Sequence, residues 1–340
     1  MATTTKAERK TAVGLSPEQL VAAYRTMVLS RRLDDRELQL KRQNKIFFQI
    51  SSAGHEAVMT AAGLVLKPSH DWFYLYYRDR ALCLQLGMTA EEMLLSAVGA
   101  ANDPNSGGRQ MPSHWGSRRL GIISHSSPIA SQIPHASGIA YAAVYRGEDA
   151  VVGCWFGEGA TSEGSWHEGL NFAGIHKLPV VWVCENNHYA ISVAQSKQMA
   201  IQDVADRGAA YGFPGVVVDG NDVLACYGAM KTAVERARAG EGPTLIEAKT
   251  YRFFPHTSDD DDRTYRSREE VEEAKHHDPL HLFEHYLRNA GLLQKEAVEG
   301  LTTEVKADVD RQIDEAWNAA DPDPDSLLRH LYFEGEPERG

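Results

Sequence analysis

The chain has 340 residues, of which 43% are hydrophobic and 24% charged, and a net charge of −12. This composition excludes collagen-like, disulfide-scaffold and wholly disordered chains. The acidic balance repels phosphate backbones and argues against nucleic acid as a partner. A small phosphate-bearing ligand stays possible, given local positive charge, backbone N–H groups or a metal.

Met1–Gly14 has no apolar stretch and little Arg, so it resembles neither a secretory signal nor a transit peptide. No run reaches the ~18 apolar residues of a membrane span, so no membrane partner is expected. Cys83, Cys154, Cys184 and Cys226 are far apart and mostly in apolar segments. They read as reduced, buried thiols of a cytoplasmic protein.

In chain order, residues 1–15 read as a flexible tail, and residues 16–335 as a single domain with helical extensions at both ends. A helix starts at Ser16, with Pro17 at its first position and Gln19 completing a capping box. Thr89 and Glu92 open a second helix in the same way, after an aromatic stretch at 72–80. Residues 102–128 form a long polar loop, a feature often tied to function. Residues 131–145, rich in Ala, Gly and Ser, predict a buried packing helix. Apolar runs at 150–156, 179–184, 216–218 and 244–249 predict strands. They alternate with predicted helices at 163–176, 203–211 and 223–239. Such alternation predicts an α/β fold with a doubly wound, mostly parallel sheet flanked by helices. A second loop spans 252–266, and from Ser267 onward the chain reads as helical and charged.

Two strand ends carry the chemistry. Gly157-Glu158-Gly159 closes one predicted strand, and Glu185-Asn186-Asn187 closes the next, with Glu158 and Asn187 29 positions apart. In a right-handed βαβ unit both ends reach the same sheet edge, where open parallel sheets bind ligands. A carboxylate and an amide oxygen are hard ligands suited to Mg2+. The helix N-terminus near Ala160–Ser165 favours a phosphate. Together they form a diphosphate–Mg2+ clamp. A lone Gly-x-Gly would read as a turn; the βαβ spacing reverses that weighting.

The segment 157–192 resembles the thiamine diphosphate motif of the 2-oxo acid dehydrogenase decarboxylase components, and is most similar to their branched-chain alpha subunits. Residues 54–57, 76–79, 108–112, 126–132, 218–222 and 256–260 follow the same family's order, so the resemblance covers about 16–335. It implies the thiamin diphosphate-binding fold. It also implies Mg2+ held by Glu158, Asn187 and the backbone carbonyl of Tyr189. Tyr77, Arg78 and His256 would reach the diphosphate, with Tyr76 beside them. Ser127 and Ile129 would line the cofactor, and Gly159 and Ala160 would offer backbone N–H groups. A monovalent cation, K+, would sit at the loop of Ser126, Pro128, Ser131 and Gln132. The chain departs from the branched-chain pattern at Tyr76, where Gln is usual, and at Glu185, where Arg is usual. Thr257 stands where mitochondrial relatives have a regulatory phosphoserine.

The reaction so implied is thiamine-diphosphate-dependent oxidative decarboxylation of a 2-oxo acid, with acyl transfer to the lipoyl group of an acyltransferase component. His256 would either move a proton in that transfer or only position the diphosphate. The Glu that activates thiamine comes from a separate beta subunit in this family, which implies an α2β2 heterotetramer. The loop around His256 leans toward branched-chain 2-oxo acids such as 3-methyl-2-oxobutanoate; pyruvate and acetoin enzymes are the alternatives, as is a catalytically silent scaffold. A nicotinamide dehydrogenase lacks its Gly-x-Gly-x-x-Gly spacing here. His277, His281 and His285 read as a solvated helix face, Trp155, Trp166 and Trp182 as core or interface residues, and Asp259–Asp262 as either a mobile or an ordered loop.

Overall fold

A computed structural model describes residues 14–332 and residue 335. Residues 1–13 of the predicted tail lie outside it; Leu15, assigned to that tail, is buried. The N-terminal helix α1 runs Pro17–Arg42 and has the full capping box read from Ser16 and Gln19. There follow α2 (Glu56–Gly63), strand β1 (Trp72–Tyr74), α3 (Arg80–Leu86), α4 (Ala90–Val98) and α5 (Gln132–Arg146). The α/β core continues with β2 (Val152–Gly157), α6 (Gly164–Ile175) and β3 (Val180–Asn186). A small hairpin of β4 (Tyr189–Ala190) and β5 (Val193–Ala194) leads to the short α7 (Gln195–Gln198). Then come β6 (Gly215–Asp219), α8 (Val223–Arg238) and β7 (Thr244–Lys249), and last α9 (Arg268–Lys275), α10 (Pro279–Asn289) and α11 (Lys295–Trp317).

The main sheet has the order β1-β2-β3-β7-β6, and every neighbouring pair is parallel. All its strands therefore deliver their carboxyl ends to one edge. The central strands β2, β3 and β7 are buried along nearly their whole length because both faces are covered, whereas the edge strand β6 leaves Val216 and Val217 exposed. Val152, Cys154 and Phe156 of β2, with Val180, Trp182 and Cys184 of β3, pack on Ile133, Ala136, Trp166 and Leu170 of α5 and α6. The alternate residues Trp155, Val181, Val183, Ile246 and Ala248 pack with α1, α2 and α8. Trp155, Trp166 and Trp182 are all fully buried. All four cysteines are free and buried.

Two local readings differ from the structure. The aromatic stretch at 72–80 contains an edge strand, β1, only three residues long. The predicted helix at 203–211 is a tighter 3-10 helix, Val204–Tyr211. Its Gly208 sits so close to the start of β6 that a Cβ would meet the Gly215 nitrogen at 3.0 Å. No helix among the described residues is long and apolar enough to cross a membrane.

Candidate active site

β1, β2, β3 and β7 open at one edge onto a cavity of about 530 Å3. From the end of β1 come Tyr76, Tyr77 and Arg78. From β2 come Glu158, Gly159 and Ala160; beyond β3 come Asn187 and Tyr189; beyond β7 comes His256. Ser127 and Ile129 close one side. All eleven residues predicted for the cofactor and Mg2+ thus line a single space.

Glu158 begins a 3-10 turn, Glu158–Ser162, that precedes α6, so the predicted helix start at Ala160–Ser165 is tightened there. The turn holds the Glu158 side chain in place, fully buried. Its Oε2 accepts from the Asn187 backbone N–H at 3.2 Å, and its Oε1 has no partner. Burial pushes the Glu158 carboxyl up to about 7. An orphaned buried carboxylate oxygen beside an amide side chain is a donor set that a divalent cation completes. His188 adopts φ 71°, which turns the chain back at once after Asn187. The residues therefore fit Mg2+.

Arg78 is 1% exposed. Its guanidinium donates to Ser51 O at 2.6 Å, His256 O at 3.0 Å and His256 Nδ1 at 3.1 Å. Its Nε has no partner. With Nδ1 accepting, the ring proton of His256 resides on Nε2. Burial, Arg78 and Arg252 hold His256 down at about 3, so it is neutral near pH 7. The loop carrying it is ordered by internal bonds: Asp260 accepts from the His256 N–H at 2.8 Å and from the Tyr265 hydroxyl at 2.5 Å.

Glu185, the departure beside Asn187, does not face the cavity. It is fully buried, and its Oε2 lies 2.6 Å from His55 Nδ1. Burial and Glu185 push the Asp79 carboxyl well above the usual carboxylate range. Burial holds His55 down at about 3, leaving a neutral ring beside Glu185. The extra acid is thus absorbed behind the site. Tyr76, the other departure, is 5% exposed with its ring 4.4 Å from that of Tyr77.

Of the loop assigned to a monovalent cation, Pro128 and Gln132 line the cavity, and Ser126 and Ser131 do not. Ser131 Oγ donates to Pro128 O at 2.7 Å, and Gln132 Nε2 to Trp155 O at 3.1 Å.

Three polar residues of the cavity wall, Arg252, His114 and Thr257, were not predicted to line it. Arg252, 1% exposed, donates to Ile191 O and to the Tyr265 hydroxyl, and its Nε has no partner. Its position just beyond β7, at the carboxyl end of a core strand, was the available signal. His114 receives Ser127 Oγ at Nε2, 2.8 Å away, and stacks on His125. It lies inside the polar loop 102–128, where nothing in the sequence distinguishes it.

Among the described residues no group of three or more His, Cys, Asp or Glu could hold a metal. His281 and His285 lie exposed on α10, whereas His277 lies exposed in the turn before it, so the three do not share one helix face. The Mg2+ set proposed above is of another kind, with one carboxylate, an amide and a carbonyl.

The dehydrogenase E1 component family matches residues 24–325. The chain belongs to that family. The E1 component fold and the α/β reading agree, and membership implies a thiamine-diphosphate-dependent oxidoreductase that works with a beta subunit and an acyltransferase component. Among relatives, the chain is 49% identical to the 2-oxoisovalerate dehydrogenase subunit alpha of Bacillus subtilis, over 95% of this chain and 98% of that protein. It is 38% identical to the 3-methyl-2-oxobutanoate dehydrogenase subunit alpha of Mycobacterium tuberculosis, over 98% of this chain and 88% of that protein. It is also 38% identical to the pyruvate dehydrogenase E1 component subunit alpha of Staphylococcus aureus, over 94% and 83% respectively.

Proposed function

We propose that this E1 component chain is the alpha subunit of a branched-chain 2-oxo acid dehydrogenase, acting on 3-methyl-2-oxobutanoate and its homologues. The observation that carries this reading is the cavity itself. At one end it offers Glu158, Asn187, Arg78 and Arg252. Its walls offer apolar Phe48, Ile50, Met111 and Ile191. The nearest identity, among the three relatives described, is to a protein named for a branched-chain substrate.

Glu158, Asn187 and the Tyr189 carbonyl would hold Mg2+, and Tyr77, Arg78 and His256 would reach the diphosphate. Gly159 and Ala160 would offer backbone N–H groups, with Ser127 and Ile129 against the rings. Thiamine diphosphate supplies the carbanion chemistry when bound. Arg78, pinned by Ser51 and His256, offers a preset planar donor to phosphate oxygens. Neutral His256 carries its proton on Nε2, where it would donate a hydrogen bond to an acceptor in the cavity, while its Nδ1 accepts from Arg78. K+ would take the carbonyl and hydroxyl oxygens of the Ser126–Gln132 loop.

Glu158 is the one carboxylate lining the cavity among the described residues, and it is committed to the cation. The proton on the cofactor's pyrimidine therefore needs a carboxylate from elsewhere, which supports a beta subunit in an α2β2 arrangement. The test is turnover of this chain alone and with its beta subunit, across a set of 2-oxo acids. One extra methylene in an apolar pocket is worth roughly 10–200-fold in kcat/KM. The reconstituted enzyme should prefer 3-methyl-2-oxobutanoate to pyruvate by at least ~10-fold, and the chain alone should be inactive. A preference for pyruvate, or full activity without the beta subunit, would reject the proposal.

A further inference from the structure

Residues 31–45 hold six cations, Arg31, Arg32, Arg36, Lys41, Arg42 and Lys45, in a chain whose net charge is −12. The fold sorts the charges of this segment. Asp34 and Glu37 turn inward to Arg80, and Arg31 turns inward to Glu56 and Asp278. The outer face keeps five cations and one acid, Asp35. It borders a groove of about 310 Å3 between α1 and α11, lined by Arg32, Arg36, Arg42, Phe254 and Lys306. Asp35 and Asp310 pair with Arg32, Arg36 and Lys306. Exposed Arg42 forms no ion pair among the described residues.

This face is joined to the wall of the cofactor cavity. Lys41 Nζ lies 2.7 Å from Phe47 O and 3.1 Å from Asp259 Oδ1. Phe48 and Thr257, on the same two segments, line the cavity. Phe254 lines the groove while its neighbours Arg252 and His256 line the cavity. Between the two lies Phe47, a large apolar ring that is 92% exposed.

We propose that the cationic end of α1, with Phe47 beside it, is the landing surface for an acidic face on the lipoyl-bearing domain of the acyltransferase component. The proposal rests on the function given above, which requires a protein-tethered lipoyl group to reach this cavity. The charge distribution then fixes the sign of the partner. A basic domain would be attracted to much of an acidic chain and gain no position from it. An acidic domain is repelled by most of the surface and attracted to this face, so charge both speeds encounter and orients it. Phe47 offers the apolar anchor that such a polar surface otherwise lacks.

The experiment uses the enzyme reconstituted with its beta subunit, as wild type, Arg42→Glu, and Arg42→Glu with Lys45→Glu. Three readouts are taken: decarboxylation with an artificial electron acceptor, KM for the isolated lipoyl-bearing domain as substrate, and the salt dependence of that KM. The variants should decarboxylate as wild type does. Their KM for the lipoyl-bearing domain should rise by about ten-fold, with a flatter salt dependence. An unchanged KM and salt dependence would overturn the proposal. So would failure of the Arg42→Glu chain to assemble with the beta subunit, since the face would then belong to that contact. If wild type decarboxylates no 2-oxo acid, the parent reading fails, and this one with it; that result is seen before any variant is compared.

Discussion

Glu158 carries an acid–base signature that follows from its burial. Its folded-state value, pushed up to about 7, exceeds the ordinary 4.5. A carboxyl raised on folding contributes stability that is present below about 4.5 and lost as pH rises through about 7. At pH 8 the cation-free chain holds a buried, unpaired charge that costs on the order of 3 kcal/mol. Glu158→Gln should therefore raise the melting temperature of the cation-free enzyme at pH 8 and leave it unchanged at pH 4. Titration of Mg2+ with thiamine diphosphate near pH 6.5, in buffers of different ionisation enthalpy, should show a proton released by wild type and none by Glu158→Gln. Equal release by both would remove Glu158 from the metal site. His256 has the opposite sign. Its value is lowered to about 3, so the unfolded chain takes up a proton at that position as pH falls through about 6.5, and stability falls with it.

Between elements, buried charge ties α1 to the site. Arg80 of α3 donates both terminal nitrogens to Glu37 of α1, at 2.8 and 2.6 Å, and its Nε lies 3.5 Å from Asp34. Asp34 in turn accepts from Ser52 N, Ser51 Oγ and Gln49 Nε2, and Ser51 O receives Arg78. Arg80→Ala leaves two buried carboxylates facing an emptied space, at a cost of roughly 3–5 kcal/mol. Thermal unfolding of the variant should show that loss, and Arg80→Met combined with Glu37→Leu should recover most of it. No recovery would mean that the pair serves more than mutual neutralisation. None of this network was legible in the sequence, since its members lie as far apart as residues 34 and 80 and nothing in their spacing links them. The elements themselves were more legible. Core strands buried on both faces write continuous apolar runs, and the capping residues Ser16 and Thr89 mark their helices. The strand β1 escaped notice because three residues give no periodicity.

At the scale of the whole molecule, the parallel sheet gathers onto one edge residues from positions 76 to 256. The meeting of Glu158 and Asn187 was readable because one βαβ unit holds both, and the family resemblance pointed to Arg78, Ser127 and His256 on the same wall. Arg252 and His114 were not readable, because only the fold brings their loops to the same wall. The length of 340 residues and the net charge of −12 take their meaning from this arrangement. On the function proposed above, the chain would build the anion and metal half of a divided site, with local cations where the surface is otherwise acidic. The most direct test is the affinity of the reconstituted enzyme for thiamine diphosphate with Mg2+, compared between wild type and Asn187→Ala by calorimetry. The account predicts that the variant stays folded and assembled but loses binding by about 100-fold, the scale on which a metal-site residue acts. Unchanged affinity in a folded, assembled Asn187→Ala enzyme would contradict the clamp on which the function rests.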